Sequence, residues 1–194
     1  MLATLIKEPF DSKDWIFETK YDGYRALTNK VKKVRLLSRN NLSFNARFPT
    51  LVEEIQSLPG SFVIDGEIVI LDKRGVSHFQ LLQNYQTKKI GTPYYYLFDI
   101  LSLNGKNLTR LPLVQRREIL CALIKKHPSK HLRISCAIER KGKALFQKAK
   151  KLGWEGIIAK RKESVYRQAR SREWLKIKTH LRQEVVIGGY SAPR

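Results

Sequence analysis

The sequence has few cysteines, few acidic residues and no long apolar run. Its 194 residues contain two cysteines, Cys121 and Cys136, which form no C-x-x-C pair and cannot build a disulfide framework. Four histidines lie far apart without ligand spacing, so no zinc site is expected. There is no apolar stretch of about 18 residues and no signal-peptide pattern, so we expect reduced thiols and no membrane partner.

The charge of the chain is strongly basic. It contains 38 lysine and arginine residues against 17 aspartate and glutamate residues, a formal net charge of +21. The basic residues occur in every segment rather than in a tail, and 42% of all residues are hydrophobic, which argues against a disordered basic arm. We therefore expect a folded domain that meets a polyanion, most simply a nucleic acid.

The stretch from Glu18 to Arg25 carries a lysine at the end of a predicted strand. It reads ETKYDGYR and follows three apolar residues, so the strand is expected to run into a turn at the Asp-Gly pair. Alternation along the strand places Glu18 and Lys20 on one face. Nearby cations such as Arg25, together with partial desolvation, would favour the neutral, nucleophilic amine of Lys20. The alternative is an ordinary surface lysine before a turn.

A second strand-like segment, residues 62–71, has two carboxylates at its centre. Asp65 and Glu67 flank Gly66 in an otherwise apolar run, and the burial of unpaired charge is costly. A hairpin turn at this point is the alternative, but it would leave two very short arms. Contact with a metal ion or a ribose suits a carboxylate that is held on a strand.

Two segments near the C-terminal end also combine charge with a strand pattern. Glu155 begins the run EGIIAK, and its carboxylate could simply pair with a neighbouring lysine. In WLKIK, Leu175 and Ile177 are predicted on one face, with Lys176 and Lys178 on the other. Two lysines on one strand face repel each other unless an anion lies between them, and a phosphate would fit there.

Periodicity predicts the remaining elements. We expect an amphipathic helix from about residue 51 that ends at Pro59, a short helical turn at 79–83, and helices at 113–126 and 143–152. The basic outer residues of the last two helices are expected to be solvated. Residues 94–101 predict an aromatic strand, in which Phe98 is interpreted as a core residue from composition alone.

Together these segments resemble the motifs of the covalent nucleotidyltransferases, a family of DNA ligases, RNA ligases and mRNA capping enzymes. The KYDGYR stretch is similar to motif I, the DGE triplet to motif III, EGIIAK to motif IV and WLKIK to motif V. Phe98 lies where members of the family stack an aromatic ring on the base. The tracts MLATL, FQ-x-LQN and RQE-x-VIGGY narrow the resemblance to the ATP-dependent ligase domain of bacterial ligase D.

The resemblance implies an α+β nucleotidyltransferase (ATP-grasp-like) fold, with antiparallel sheets that form a nucleotide cleft and helices packed outside. It implies that Lys20 is the catalytic nucleophile and that the cofactors are ATP and Mg²⁺ or Mn²⁺. The residues implied to contact ATP or AMP are Glu18, Thr19, Arg25, Arg39, Glu67, Phe98, Lys160, Arg170, Lys176 and Lys178, and those implied to hold the metal are Glu67 and Glu155. Among these, Glu18 would lie beside the base and Arg25 beside the ribose.

The implied reaction is the formation of lysyl-AMP, followed by transfer of AMP to a DNA 5′-phosphate and nick sealing in end-joining repair. The implied partners are nicked or broken double-stranded DNA, with Ku and polymerase or nuclease modules as further candidates, in the cytoplasm of a bacterial cell at the nucleoid. The alternatives are an RNA ligase, a capping-type nucleotidyltransferase, or a nucleic-acid-binding module that has lost catalysis.

The sequence departs from the ligase pattern in three places. The usual Ser-Arg-Asn-Gly turn ends here in Asn41, a residue type that tolerates the left-handed conformation. We expect no DNA-binding domain ahead of the lysine, as in minimal bacterial ligases. We expect residues 1–181 to form the adenylation domain and residues 182–194 to begin an oligonucleotide-binding (OB) domain whose motif VI is absent, as in an excised domain.

Overall fold

Strands and helices alternate along the computed structural model, which describes residues 1–88 and 90–179. In chain order they are β1 (Leu2–Leu5), β2 (Trp15–Lys20), β3 (Tyr24–Lys30), β4 (Val34–Ser38), α1 (Pro49–Ser57), β5 (Phe62–Ile70), α2 (Phe79–Lys88), β6 (Pro93–Leu103), β7 (Lys106–Asn107), α3 (Leu113–Lys126), β8 (Leu132–Ile134), β9 (Ala137–Glu139), α4 (Gly142–Leu152), β10 (Gly156–Arg161) and β11 (Arg170–Lys178). The predicted domain boundary after residue 181 and the predicted OB segment, 182–194, lie outside the described residues.

The strands form two sheets. The first has the order β1-β11-β10-β2-β9, and the second has the order β4-β3-β5-β6-β7, with β8 also paired to β6. Most neighbouring strands are antiparallel, as expected, but β1 runs parallel to β11 and β8 runs parallel to β6. The sequence did not predict β1, β3 or the short strands β7, β8 and β9. The partners of β1, β8 and β9 are distant in the chain, so local periodicity carries little information about these strands. β3 and β7 pair with the neighbouring strands β4 and β6, and β7 is only two residues long.

Alternation along β2 and β11 divides their side chains between two faces of the first sheet. Phe17, Leu175 and Ile177 are buried in a cluster with residues of α4. Ile16 and Trp174 point the other way, into a separate cluster on the side that faces the second sheet. The predicted sidedness of both strands is therefore confirmed.

The second sheet packs against α1, α2 and α3 to form the larger core. One buried residue of α3 is an arginine: Arg116 is fully buried, and its Nε and NH2 groups donate to the two carboxylate oxygens of Asp99 at 2.7 and 2.9 Å. Its NH1 group donates to the carbonyls of Leu111 and Ser164. The prediction that the basic residues of α3 are solvated is wrong at this position, because the strand beneath the helix supplies a buried carboxylate.

The DGE triplet lies within a continuous strand and not in a turn. β5 pairs with both β3 and β6 through the triplet, with a register shift against β6 between Asp65 and Gly66. A Cβ atom at Gly66 would lie 2.5 Å from the Tyr95 ring and 2.6 Å from the Tyr96 carbonyl, so the close approach of β6 requires glycine. The helix predicted at 79–83 extends to Lys88. Among the described residues, no helix is long and apolar enough to cross a membrane.

Candidate active site

A cavity opens between the two sheets and gathers seven of the twelve predicted site residues. Its lining residues are Met1, Ala3, Glu18, Thr19, Lys20, Tyr21, Arg25, Glu67, Phe98, Ser135, Ile158, Lys160 and Trp174. The first sheet contributes residues of β1, β2, β10 and β11, and the second sheet contributes residues of β3, β5 and β6. The other five predicted residues, Arg39, Glu155, Arg170, Lys176 and Lys178, do not line this cavity.

One end of the cavity is built around Glu18. The Glu18 carboxylate is buried, and Lys160 Nζ donates to both of its oxygens, at 2.9 and 3.0 Å. Arg117 NH1 donates to Oε1 at 2.8 Å, and Ser135 Oγ donates to Oε2 at 2.7 Å. Burial lowers the pKa of Lys160, and the Glu18 carboxylate opposes that shift. We call these four residues the Glu18 network.

An aromatic ring lies directly beside the Glu18 network. Phe98 is half-buried and borders the cavity, and Lys160 Nζ lies 4.2 Å from the centroid of its ring. Trp174 contacts Phe98 edge-on at a centroid distance of 5.9 Å. Ile158, on the opposite sheet, borders the same cavity. A flat apolar ligand could therefore contact Phe98 from within the cavity, and we call this end the base end.

Asp65, one of the two strand carboxylates, is buried and forms an ion pair with the partly exposed Arg25. Arg25 Nε and NH2 donate to the two oxygens of Asp65 at 3.0 and 2.5 Å, and Arg25 NH1 donates to the Met1 carbonyl at 2.5 Å. The Tyr166 hydroxyl donates to the same carboxylate at 2.8 Å. Asp65 is thus satisfied by the protein, and it holds Arg25 at the wall of the cavity.

At the other end of the cavity, which we call the phosphate end, Lys20 forms an ion pair with Glu155. Lys178 Nζ lies 3.4 Å from the other oxygen of the same carboxylate. The strand register explains this convergence, because Gly156 on β10 lies opposite Lys20 on β2 and opposite Lys178 on β11. Gly156 has a φ of 154°, and a Cβ atom there would lie 2.1 Å from the Ile177 carbonyl, so glycine is required beside Glu155.

Lys176 lies beside these groups without a protein partner. No hydrogen bond or ion pair engages its ammonium within the part of the chain that the structure describes. Burial lowers the pKa of Lys176, and the positive charges of Lys20, Arg170 and Lys178 lower it further. Three cations therefore destabilise the protonated form of Lys176, and the Glu155 carboxylate opposes their effect.

Glu67 is the second strand carboxylate, and it faces the cavity. Burial raises the pKa of Glu67 to about 8, with Lys20 and Arg25 opposing the shift and Asp65 and Glu155 adding to it. Within residues 1–88 and 90–179, no group of three or more acidic, histidine or cysteine side chains is placed to hold a metal ion. A metal here would therefore need oxygen ligands from a substrate or water in addition to Glu67 and Glu155.

Arg39 and Arg170, two of the predicted ATP-contacting residues, do not line the cavity, and we refer to their positions as its rim. Arg170 NH1 donates to the Ala3 carbonyl at 2.8 Å. Arg39 is exposed and borders a separate shallow groove, which it shares with Arg25 and Glu67. Asn41, next to it in the turn, has a φ of 61°, so it adopts the left-handed conformation that its residue type was expected to tolerate.

Sequence reasoning missed several residues of the site, among them Arg117, Ser135, Ile158 and Tyr166. Arg117 could have been found from the sequence. Leu113, Leu120 and Ile124 form the apolar stripe of α3, and Arg116 and Arg117 lie on the same stripe. A basic residue on a buried helical stripe indicates a buried carboxylate partner. Ser135 and Tyr166 lie in connecting segments, and no local pattern marks them.

Comparison with known proteins identifies the family of the chain. A family model described as an ATP-dependent DNA ligase domain matches residues 1–178. The chain belongs to this family. It is 38% identical over its whole length to the multifunctional non-homologous end joining protein LigD of Pseudomonas aeruginosa, of which it spans 23%. It is also 31% identical to the prophage-derived DNA ligase-like protein LigB of Bacillus subtilis, with 98% of this chain and 71% of that protein aligned.

Solved structures of the family show the same fold. A mycobacterial DNA ligase D in complex with ATP and MES superposes with a TM-score of 0.80 at 33% identity, over 92% of this chain and 59% of that one. The ligase domain of Mycobacterium tuberculosis LigD gives a TM-score of 0.76 at 32% identity, over 91% and 60% of the two chains. The predicted nucleotidyltransferase fold and the narrower likeness to ligase D are both confirmed.

Proposed function

We propose that this ligase domain reacts with ATP through Lys20. The Lys20 amine attacks the α-phosphorus, an N–P bond forms, and the bond from that phosphorus to pyrophosphate breaks. The observation that carries the proposal is the shape of the cavity: a single space joins the ring of Phe98 at one end to the Lys20 amine at the other. Positioning and charge neutralisation are the main requirements of such a phosphoryl transfer.

Different residues around the cavity would contact the base, the ribose and the phosphates of ATP. Phe98 and Ile158 would contact the base, Glu18 and Thr19 would border it, and Arg25 would face the ribose. At the phosphate end, the Lys176 ammonium has no partner among the described residues, and Lys178 Nζ lies 3.4 Å from the Glu155 carboxylate, so both lysines can contact phosphate oxygens. Lys160 would act from the base end, and Arg39 and Arg170 would act from the rim. Each phosphate contact would relieve the repulsion between the clustered cations.

Glu155 is the group that accepts a hydrogen bond from the nucleophile. The ion pair orients the Lys20 amine at the start of β10, where the strand register brings Lys20 and Glu155 together. The amine must lose a proton before it attacks.

Glu67 and Glu155 would hold Mg²⁺ or Mn²⁺. Magnesium takes one or two carboxylates together with phosphate oxygens and water, which fits the Glu67 and Glu155 carboxylates, whose charges interact, without a third acidic ligand among the described residues. When bound, the ion supplies neutralisation of charge on the phosphate oxygens.

The second and third steps would seal DNA. A DNA 5′-phosphate oxygen attacks the phosphorus of lysyl-AMP and releases the amine, and then a 3′-hydroxyl attacks the 5′-phosphorus and releases AMP. The relatives named for non-homologous end joining support broken or nicked duplex DNA as substrate. We further propose Ku and polymerase or nuclease modules as partners, at a bacterial nucleoid. The net charge of +21 supports a DNA contact, which titrations at several salt concentrations test through its steep salt dependence.

The experiment that tests the first step is the intact mass of the protein after incubation with ATP and Mg²⁺. We expect a gain of one adenylyl group that disappears on addition of pyrophosphate. A gain with GTP instead would indicate a capping-type enzyme. No covalent gain under any of these conditions would reject the proposal in favour of a binding module.

A further inference from the structure

Arg117 lies behind the base end of the cavity and does not line it. Its guanidinium donates to three acceptors from three different elements. NH1 reaches Glu18 Oε1 on β2 at 2.8 Å and the Phe98 carbonyl on β6 at 3.2 Å. NH2 reaches the Ser135 carbonyl, in the segment between β8 and β9, at 2.7 Å. One side chain of α3 therefore connects both sheets.

The three residues that Arg117 holds all line the cavity. Glu18 belongs to the first sheet and Phe98 to the second, so the distance between these two walls of the base end depends on a shared partner. Ser135 in turn donates to Glu18 Oε2 at 2.7 Å and its amide donates to the Leu97 carbonyl at 2.8 Å. The contacts form a closed loop around the base end.

The Glu18 carboxylate has no free acceptor position toward a ligand. Oε1 accepts from Arg117 and Lys160, and Oε2 accepts from Ser135 and Lys160. A carboxylate has about four lone-pair positions, so these four bonds fill them. Glu18 thus acts as the centre of a fixed network, and it does not need a donor from the base to satisfy its charge.

We propose that Arg117 is a positioning residue for the nucleobase, which rests on the proposed reaction with ATP. Its planar fork fixes the Phe98 wall against Glu18 and Ser135, so that the base end is formed before the nucleotide arrives. A lysine offers a single ammonium on a flexible stem and cannot hold the same three acceptors in a fixed plane. Arg116, the neighbouring residue, binds Asp99 instead and is part of the core.

The test compares two ligands that occupy different ends of the cavity. We would measure the affinities of the wild-type domain and of Arg117→Met for ATP and for inorganic tripolyphosphate. The variant keeps an apolar stem and loses the donors. We expect its Kd for ATP to rise by about tenfold or more, because charge-assisted bonds at a buried carboxylate are lost. Its Kd for tripolyphosphate should change by less than about twofold.

Arg35→Met is the matched control, because it removes the same charge from an exposed position on β4. It should leave both affinities unchanged. Arg117→Lys should fall between the wild type and Arg117→Met for ATP, and Ser135→Ala should weaken ATP binding without affecting tripolyphosphate. If Arg117→Met does not fold, the comparison of ATP with tripolyphosphate is made with Arg117→Lys and Ser135→Ala.

Unchanged ATP binding in the Arg117 variants would overturn the inference. Equal weakening for both ligands, with a lower melting temperature, would also overturn it, since that is the result of a purely structural role. Failure of the wild-type domain to bind ATP would reject the proposed function itself, and the two failures are therefore distinguishable.

Discussion

Charge is arranged differently at the two ends of the cavity. At the base end, Glu18 and Lys160 are both buried and bonded to each other, and Arg117 completes the network. At the phosphate end, Lys20 and Lys178 share the carboxylate of Glu155, and Lys176 has no partner among the described residues.

The difference follows from what each end would contact. Buried charges must be paired by the protein itself, because desolvation without a partner is costly. A base carries no net charge and cannot neutralise such groups, so the network near Phe98 is complete without a ligand. Phosphates do carry charge, so the protein can leave the Lys176 ammonium without a partner among the described residues, at the expense of some stability. A single substitution at one end of the cavity should therefore leave the contacts at the other end in place.

The largest effect is expected for Lys20→Ala. It should abolish the covalent adduct, because the amine is the nucleophile, while the affinity for ATP should remain within about tenfold of wild type. Lys20→Arg should also be inactive, since a guanidinium stays protonated. A denaturing gel after incubation with labelled ATP is the measurement. Label retained on the denatured Lys20→Ala protein would show that another residue is the nucleophile.

Lys176→Met should lower the rate of adduct formation by roughly 100-fold, as expected for a group that neutralises charge on the transferring phosphate. The same variant should raise the melting temperature, because it removes repulsion with Lys20, Arg170 and Lys178. Single-turnover kinetics and thermal unfolding measure the two effects. Lys178→Met is the comparison variant, and it loses an ion pair with Glu155, so it should not become more stable. A lower melting temperature for Lys176→Met would contradict the account.

The smallest effect concerns the pH dependence of stability through Glu67. Its pKa is raised from 4.5 to about 8 in the folded protein, so the folded state binds the proton more tightly than the unfolded state. Stability from this group is therefore present below pH 4.5 and declines as the pH rises from about 4.5 to 8. Glu67→Gln should remove this decline.

Thermal unfolding of the wild type and of Glu67→Gln at several pH values measures this decline in stability. The gain in melting temperature from Glu67→Gln should be larger at pH 8 than at pH 5. A gain that is the same at both pH values would show that Glu67 does not carry a raised pKa.

Local patterns predicted the strands that carry the site better than they predicted its contacts. The alternation of Leu175, Lys176, Ile177 and Lys178 is a two-residue period, so their sidedness follows from the sequence alone. The resemblance to the ligase motifs indicated which residues converge, and seven of the twelve line one cavity.

The partners of these residues could not be predicted. The bond from Arg117 to Glu18 joins positions 99 residues apart, and the ion pair of Lys20 with Glu155 joins positions 135 apart. Such contacts depend on the register of β10 between β2 and β11 and on the placement of α3, which no local period encodes. The same limit explains Arg25, which was expected to act as a cation near Lys20 and is bonded to Asp65.

The most direct test of the contrast between the two ends is the salt dependence of binding to the wild-type domain. Affinities for adenosine and for inorganic tripolyphosphate would be measured separately over a range of salt concentrations. The account predicts that tripolyphosphate binding weakens steeply with salt, because Lys20, Lys176 and Lys178 are partly exposed and Lys176 has no partner among the described residues. Adenosine binding should hardly change, because the charges near Phe98 are buried and paired within the protein. A parallel decline for both ligands would contradict the account.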